Sequence, residues 1–548
     1  MHRRNFIHTG AVAGIAATTL GFGGCKPLTD SNSEGPKNKD TTGNFELDEL
    51  TIQELQQRMA DGRYTSRRIT ELYLERINSI DRDGPQLNAV LELNPDALSI
   101  ADEMDAERNK GKIRSLLHGI PVLIKDNLAT GDEMMTTAGA LALSGNYEKS
   151  DAFIVKKLRD AGAVLLGKTN LSEWANFRST HSTSGWSSRG GQTKNPCVIN
   201  RNPSGSSSGS AVAVAANLCA VAVGTETDGS VIAPASCCGI VGIKPTVGLL
   251  SRAGIIPISA TQDTAGPMAR NVTDAAILLG LLAGSDPADV TTLEADANKK
   301  ADYTIFLKKD YLNGKRISIE KSFLTGNTAV VKLYQQAIKT LKKLGCEIIE
   351  TELLAKTKEL GDAEFTVLCY EFKDGVNKYL ATSKAPVRTL AEVIEFNKKN
   401  EDKTMPFFGQ ELLEMCEAKG NLESAEYLEA LRKSLSSREI IDKLMTEHRL
   451  DAIAGTSIGP SCCIDLVNGD YDTGFYFCPP AAMAGYPHIT VPMGKVQGLP
   501  VGLSLIASAW KEAELIGMAY AYEQESRFRQ KPEYLHEILI QSVVQENR

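Results

Sequence analysis

Between Pro203 and Thr246 the chain reads PSGSSSGSAVAVAANLCAVAVGTETDGSVIAPASCCGIVGIKPT, two small serine-rich loops separated by an apolar helix-then-strand stretch. Ser206 sits in the first loop and Ser230 in the second, 24 positions on (230 − 206). The same alternation of short apolar runs and turn residues recurs elsewhere. Gly119-Ile-Pro-Val-Leu-Ile-Lys-Asp-Asn127 reads as a strand with a charge at its exit, 151–161 as an amphipathic helix and 163–166 as a strand. Residues 208–218 are helical in composition, 219–223 and 239–244 strand-like, and 452–455, 489–492 and 500–506 return to sheet-like composition. Strands that alternate with helices predict an α/β architecture with a largely buried central sheet.

Near the N-terminal end of that pattern, Thr51-Ile-Gln-Glu54 is a capping-box signature, and Leu55, Met59, Ile69, Leu72, Tyr73, Ile77 and Ile80 follow at helical spacing. Residues 301–448 have a different character: charged helical stretches dominate, as expected of a helical cap rather than a second catalytic unit. The organisation expected is an export signal over 1–24, a flexible linker over 25–45, a catalytic domain over 46–530 that includes the cap, and a tail over 531–548.

The first 24 residues carry an address. Arg3-Arg4-Asn5-Phe6-Ile7 resembles a twin-arginine export signal, and the apolar run from Ala11 to Gly24 is too short to span a bilayer. Gly23-Gly24-Cys25 resembles a lipoprotein cleavage box, although Phe22 stands where Leu is usual. The expectation is an exported, periplasmic or cell-envelope lipoprotein, with Cys25 as the lipidated first residue and the membrane as a partner through that anchor. The other reading is an ordinary cleaved signal. Twin-arginine export carries folded proteins, which fits 11 cysteines with no C-x-x-C and no zinc spacing. Most of these cysteines read as small buried hydrophobes. A net charge of −8 gives no basic footprint for nucleic acid, and seven histidines without metal spacing make a metallohydrolase a poor fit.

Four patterns compete for the chemistry. Lys125 ends an apolar run 81 positions before Ser206 (206 − 125). An amine buried behind Pro-Val-Leu-Ile can be neutral and so act as a base for serine. Ser206 would then bridge the amine to Ser230, and Ser230 would attack a carbonyl. Gly229 would let a substrate approach the backbone, and the N–H groups of Thr227, Asp228, Gly229 and Ser230 could face a developing oxyanion. Gly205-Ser-Ser207-Ser-Gly209 matches the G-x-S-x-G nucleophile elbow, but no strand precedes it and nothing singles out His488 or His536. Gly162-Ala-Val-Leu-Leu-Gly-Lys168-Thr169 matches a P-loop in letters, yet its middle residues are those of a strand. Ser318-Ile-Glu-Lys321 matches S-x-x-K within a strand-like segment and has no Lys-Thr-Gly partner.

The motifs at 119–127, Gly205-Ser-Ser-Ser-Gly-Ser-Ala211, Gly224-Thr-Glu-Thr-Asp-Gly-Ser230, Gly242-Ile-Lys-Pro-Thr246 and Asp263-Thr-Ala-Gly-Pro-Met268 together resemble the amidase signature family. The match covers about 47–284 and resumes over about 451–527. The resemblance implies one compact domain with a central mixed β-sheet flanked by helices, amide hydrolysis through a Ser–cis-Ser–Lys centre, and no cofactor. Carried over by motif, Lys125 is the base, Ser206 the bridging serine and Ser230 the nucleophile, with a small-molecule or peptide amide as substrate. The chain departs from the usual family wording at Ser208, Glu226, Asp228 and Val231-Ile232, all beside the acyl pocket. Gly190-Gly-Gln-Thr-Lys-Asn-Pro196 and the 224–230 motif are most similar to the bacterial peptide amidase branch, which removes C-terminal amide groups. Two alternatives stand beside this reading: a protein like the A chain of an aminoacyl-tRNA amidotransferase, and a non-catalytic surface binding protein on an amidase scaffold.

Overall fold

The computed structural model describes residues 45–538. The segment expected to be an export signal, Cys25, the expected linker up to residue 44 and the chain from 539 lie outside the described residues.

Among the described residues the fold is built on one mixed sheet of 11 strands, and a separate two-stranded ladder adds two more. In chain order the strands are β1 (Val90–Leu93), β2 (Pro121–Lys125), β3 (Val164–Thr169), β4 (Trp186–Ser187), β5 (Gly191–Gln192), β6 (Val221–Glu226), β7 (Val241–Lys244), β8 (Thr264–Ala269), β9 (Arg316–Glu320), β10 (Glu347–Thr351), β11 (Ala452–Thr456), β12 (His488–Val496) and β13 (Leu499–Ile506). Strands β4 and β5 form the small ladder; the large sheet runs β1-β3-β2-β6-β8-β7-β12-β13-β11-β9-β10. β2 pairs in parallel with β3 and β6, whereas β6 pairs antiparallel with β8. β2, β3, β6, β7 and β8 are buried at every position, because helices cover both faces. This is the α/β domain with a mixed central sheet that the alternation and the family resemblance predict.

Local signals account for several boundaries. The Thr51 capping box forms, and Ile52, Leu55 and Met59 bury one face of helix Ile52–Ala60. The helix expected over 208–218 ends at Ala215 and the next strand starts at Val221, because Asn217 takes a left-handed φ of 57° and turns the chain back.

The segment 301–448 is less uniform than its charge suggests. Arg316–Glu320 and Glu347–Thr351 pair in parallel at the far edge of the large sheet, joined by helix Thr328–Lys343. The covering helices are therefore confined to Gly361–Glu447. Leu368, Phe372 and Val376 of helix Gly361–Thr382 pack with Trp174, Phe177 and Ile256 in a second apolar cluster, which brings the helix against the loops that follow the strands.

The discarded motifs have structural roles. Residues 164–169 are a fully buried strand between β1 and β2, and Lys168 Nζ donates to the Leu128 carbonyl at 2.6 Å and to Thr136 Oγ1 at 3.1 Å, so no phosphate cradle exists there. Ser318 lies inside β9 and accepts a 3.1 Å bond from Thr351.

Candidate active site

Lys125 is the last residue of β2, at the carboxyl end of the parallel strands and beside the point where pairing switches to antiparallel. In open α/β sheets that end is where ligands collect. The lysine is fully buried. Its Nζ lies 2.7 Å from Ser206 Oγ, 2.8 Å from Thr225 Oγ1 and 3.2 Å from the Thr225 carbonyl. A neutral amine has two N–H groups, which the two Thr225 oxygens can accept, and one lone pair, which the Ser206 hydroxyl can address. Burial lowers the pKa of this amine from 10.5 to about 7, against the opposing pull of Asp263 and Glu226.

Ser206 follows a cis peptide bond from Gly205 and is fully buried. Its loop is tied to the Ser230 loop by the Ser207 N–H, which donates to the Ser230 carbonyl at 3.0 Å. Among the described residues no hydroxyl–hydroxyl hydrogen bond joins Ser206 to Ser230. Such contacts commonly tighten only when substrate fills the site. Ser207, the elbow candidate, is spent on the backbone: its hydroxyl donates to the Thr225 carbonyl at 3.0 Å and accepts from the Thr225 N–H at 3.1 Å. His488 is buried against Ser504, and burial pushes its imidazole pKa well below the usual value.

Ser230 lines a cavity of about 240 Å³ together with Gly205, Thr227, Asp228 and Tyr476. The loop beneath it is held by Glu226, whose Oε2 accepts the N–H groups of Val231 at 2.7 Å and Ile232 at 2.9 Å. Gly229 has a φ of 78°, and a Cβ there would stand 2.2 Å from Tyr476 Oη and 3.2 Å from Cys478 Sγ, so the packed tyrosine requires a glycine. Asp228 accepts from Tyr476 Oη through its carbonyl at 3.0 Å and its carboxyl at 3.2 Å. Burial, then the neighbouring Glu364 and Glu226 carboxylates, raise its pKa well above the ordinary range. Thr227 Oγ1 donates to Asp263 at 2.5 Å. Asp263 also takes the N–H groups of Ile258 and Ser259, and burial pushes its carboxyl up to about 6.

The three chemical groups and the loop residues Thr227 to Gly229 are thus brought together. The sequence carried no sign of Tyr476, 248 positions from Asp228, and gave no role to the Thr225 side chain or to Asn127, whose Nδ2 donates to Thr225 Oγ1 at 3.0 Å. Thr225 stands inside a quoted motif, and its place beside the lysine follows only from the β2–β6 register.

The Amidase family profile matches residues 68–516, most of the chain. The chain belongs to the amidase family. A solved relative of this amidase, the native peptide amidase from Stenotrophomonas maltophilia, is 48% identical, with a TM-score of 0.85, over 90% of this chain and 100% of that one. A probable amidase of Arabidopsis thaliana is 41% identical over 90% of this amidase and 93% of the relative. A glutamyl-tRNA(Gln) amidotransferase chain of Thermoanaerobacter pseudethanolicus is 34% identical over 89% of this chain and 99% of its own.

Proposed function

We propose that this amidase hydrolyses carboxylic amides, peptide C-terminal amides among them, through an acyl-enzyme on Ser230. The observation that carries the reading is the 2.7 Å contact between a fully buried lysine amine and the Ser206 hydroxyl, with the amine's pKa brought to about 7. Lys125 takes the Ser206 proton as Ser206 takes the proton of Ser230, and Ser230 Oγ attacks the amide carbon. The tetrahedral oxyanion would face the N–H groups of Thr227, Asp228, Gly229 and Ser230. As it collapses, the C–N bond breaks, Ser206 protonates the leaving nitrogen, and Lys125 returns a proton to Ser206. Water then repeats the sequence on the acyl-enzyme.

The 48% identity to a peptide amidase, against 34% to an amidotransferase chain, supports the hydrolytic branch. The test is Ser230→Ala together with labelling by a fluorophosphonate. The expected result is loss of amide cleavage by at least about 10⁴-fold, with the probe on Ser230 of the parent protein and absent from the variant. Turnover retained in a folded Ser230→Ala protein, or a probe on Ser207, would overturn the assignment.

The reading extends to location. Arg3-Arg4 and Gly23-Gly24-Cys25 support an exported protein tethered by a lipid on Cys25. An azido-fatty acid fed to expressing cells is expected to label the protein and to miss the Cys25→Ser variant. Equal labelling of both, or of neither, would remove the anchor from the proposal.

A further inference from the structure

Asn127 stands two residues beyond Lys125 and is 2% exposed. Its side-chain amide has one end engaged and the other not. Nδ2 donates to Thr225 Oγ1 at 3.0 Å, and that hydroxyl oxygen lies 2.8 Å from Lys125 Nζ. Oδ1 is buried and has no hydrogen-bond partner. The backbone around it is tied down. The Asn127 carbonyl accepts the Ile256 N–H at 2.9 Å, and the Leu128 N–H closes a turn on the Lys125 carbonyl at 3.0 Å.

Asn127 lines a cavity of about 420 Å³ that adjoins the one holding Ser230; the two share Ala175, Thr227 and Ile258 in their walls. Other polar side chains in these walls are matched within the protein. Arg252 donates from Nε and Nη2 to the two oxygens of Asp289 at 2.9 and 2.8 Å. Asp263 accepts from Thr227 Oγ1 and from two backbone N–H groups. Ser259 Oγ donates to Glu371 at 2.5 Å. Among the described residues that line the cavity, Asn127 Oδ1 is the buried side-chain polar atom left without a partner.

Buried polar groups in folded chains are nearly always paired, and leaving one unpaired is costly. An amide oxygen is an acceptor only, so the partner it lacks is a donor. An amide substrate has N–H donors at two positions. One is the scissile carboxamide; the other, in a peptide, is the acylamino nitrogen two bonds from the carbonyl carbon.

Resting on the proposed Ser230 chemistry, we infer that Asn127 is a substrate-binding residue whose Oδ1 accepts one of these N–H groups. The two ends of its amide then have separate duties. Nδ2 fixes the Thr225 hydroxyl beside the lysine, and Oδ1 recognises the substrate as an amide. An ester or depsipeptide with oxygen where the recognised nitrogen should be would leave Oδ1 unpaired, and a site built around a hydrogen bond rejects an analogue that lacks it.

The test uses three compounds of one shape, with release of ammonia or methanol followed. N-acetyl-leucinamide has both N–H groups. N-acetyl-leucine methyl ester lacks the scissile one. The depsi analogue of the first compound has oxygen in place of the acylamino nitrogen. Asn127→Leu is expected to lower kcat/KM for N-acetyl-leucinamide about 10- to 100-fold more than for the analogue without the recognised N–H. Sparing of the ester assigns Oδ1 to the scissile carboxamide; sparing of the depsi compound assigns it to the acylamino group. Asn127→Asp keeps an acceptor at this position, so the ratios among the three compounds should stay as in the parent, whatever happens to the absolute rates. An equal loss on all three in Asn127→Leu, as expected if the residue acts only through Thr225 and the lysine, would overturn the inference and leave the Ser230 chemistry standing. Ratios in Asn127→Asp that match those of Asn127→Leu would overturn it as well. If the parent cleaves none of the three, the Ser230 reading fails on its own, and calorimetric binding to Ser230→Ala protein still reads the contact. N-acetyl-leucinamide should then bind more tightly than one of its analogues, with the difference lost in Ser230→Ala/Asn127→Leu. Equal binding of all three to Ser230→Ala, or a difference that survives in the double variant, rejects the contact.

Discussion

Lys125, the base of the proposed mechanism, is also a cost to the fold. Its neutral form is the working one, so kcat/KM for an uncharged amide is expected to rise with pH through a midpoint near 7 and then level off. A pH–rate profile checks this; a flat profile from pH 5 to 9 would contradict a lysine base. The same shift has a sign for stability. Folding lowers the amine from 10.5 to about 7, so between those values the unfolded chain binds more protons than the folded one. This group therefore makes stability rise with pH from about 7 to about 10.5 and contributes no further slope below 7. Lys125→Met keeps the apolar stem and removes the amine. It should abolish turnover by about 10⁴-fold or more, and it should remove this rising limb from denaturant midpoints measured between pH 7 and 10.

At the level of elements, the turn from β6 into helix Ile232–Cys237 depends on a carboxylate and a missing side chain. Glu226 gathers the N–H groups that open the helix, and Gly229 leaves room for Tyr476. Gly229→Ala would push either the tyrosine or the Ser230 backbone by the order of an ångström, and displacements of that size cost about 10²-fold in rate. The expected outcome is that loss in kcat/KM, partly restored in Gly229→Ala/Tyr476→Ala. If the double variant is no better than the single one, the tyrosine is not what the glycine accommodates. The strand identities here were legible in the sequence because apolar runs bounded by Gly and Pro specify them. The tyrosine was not, because it arrives from a loop 248 positions away and carries no local pattern.

Across the whole molecule, the covering helices are joined to the site by a buried ion pair. Arg178 and Glu173 are each about 99% buried on their side chains, and Arg178 also donates to the carbonyls of Thr404 and Gly409. Trp186 and Phe408 flank its guanidinium at 5.3 and 5.6 Å. Arg178→Met would leave Glu173 as an uncompensated buried charge, a loss of about 3–5 kcal/mol. It is expected to lower the denaturation midpoint and to release amide exchange first over 401–417, the segment that the arginine holds. Uniform exchange across the chain would show that the pair does not anchor the cap in particular.

The sequence alone determined the α/β class, the buried strand ahead of Lys125 and the serines of the two loops, because each is written in contiguous residues whose periodicity and turn chemistry act locally. Which hydroxyls meet the amine and which side chains pack against the two loops were decided by tertiary structure. Those properties depend on strand register and on contacts between segments hundreds of residues apart, and burial, which lowers the pKa of the Lys125 amine, exists only once the layers have closed around it.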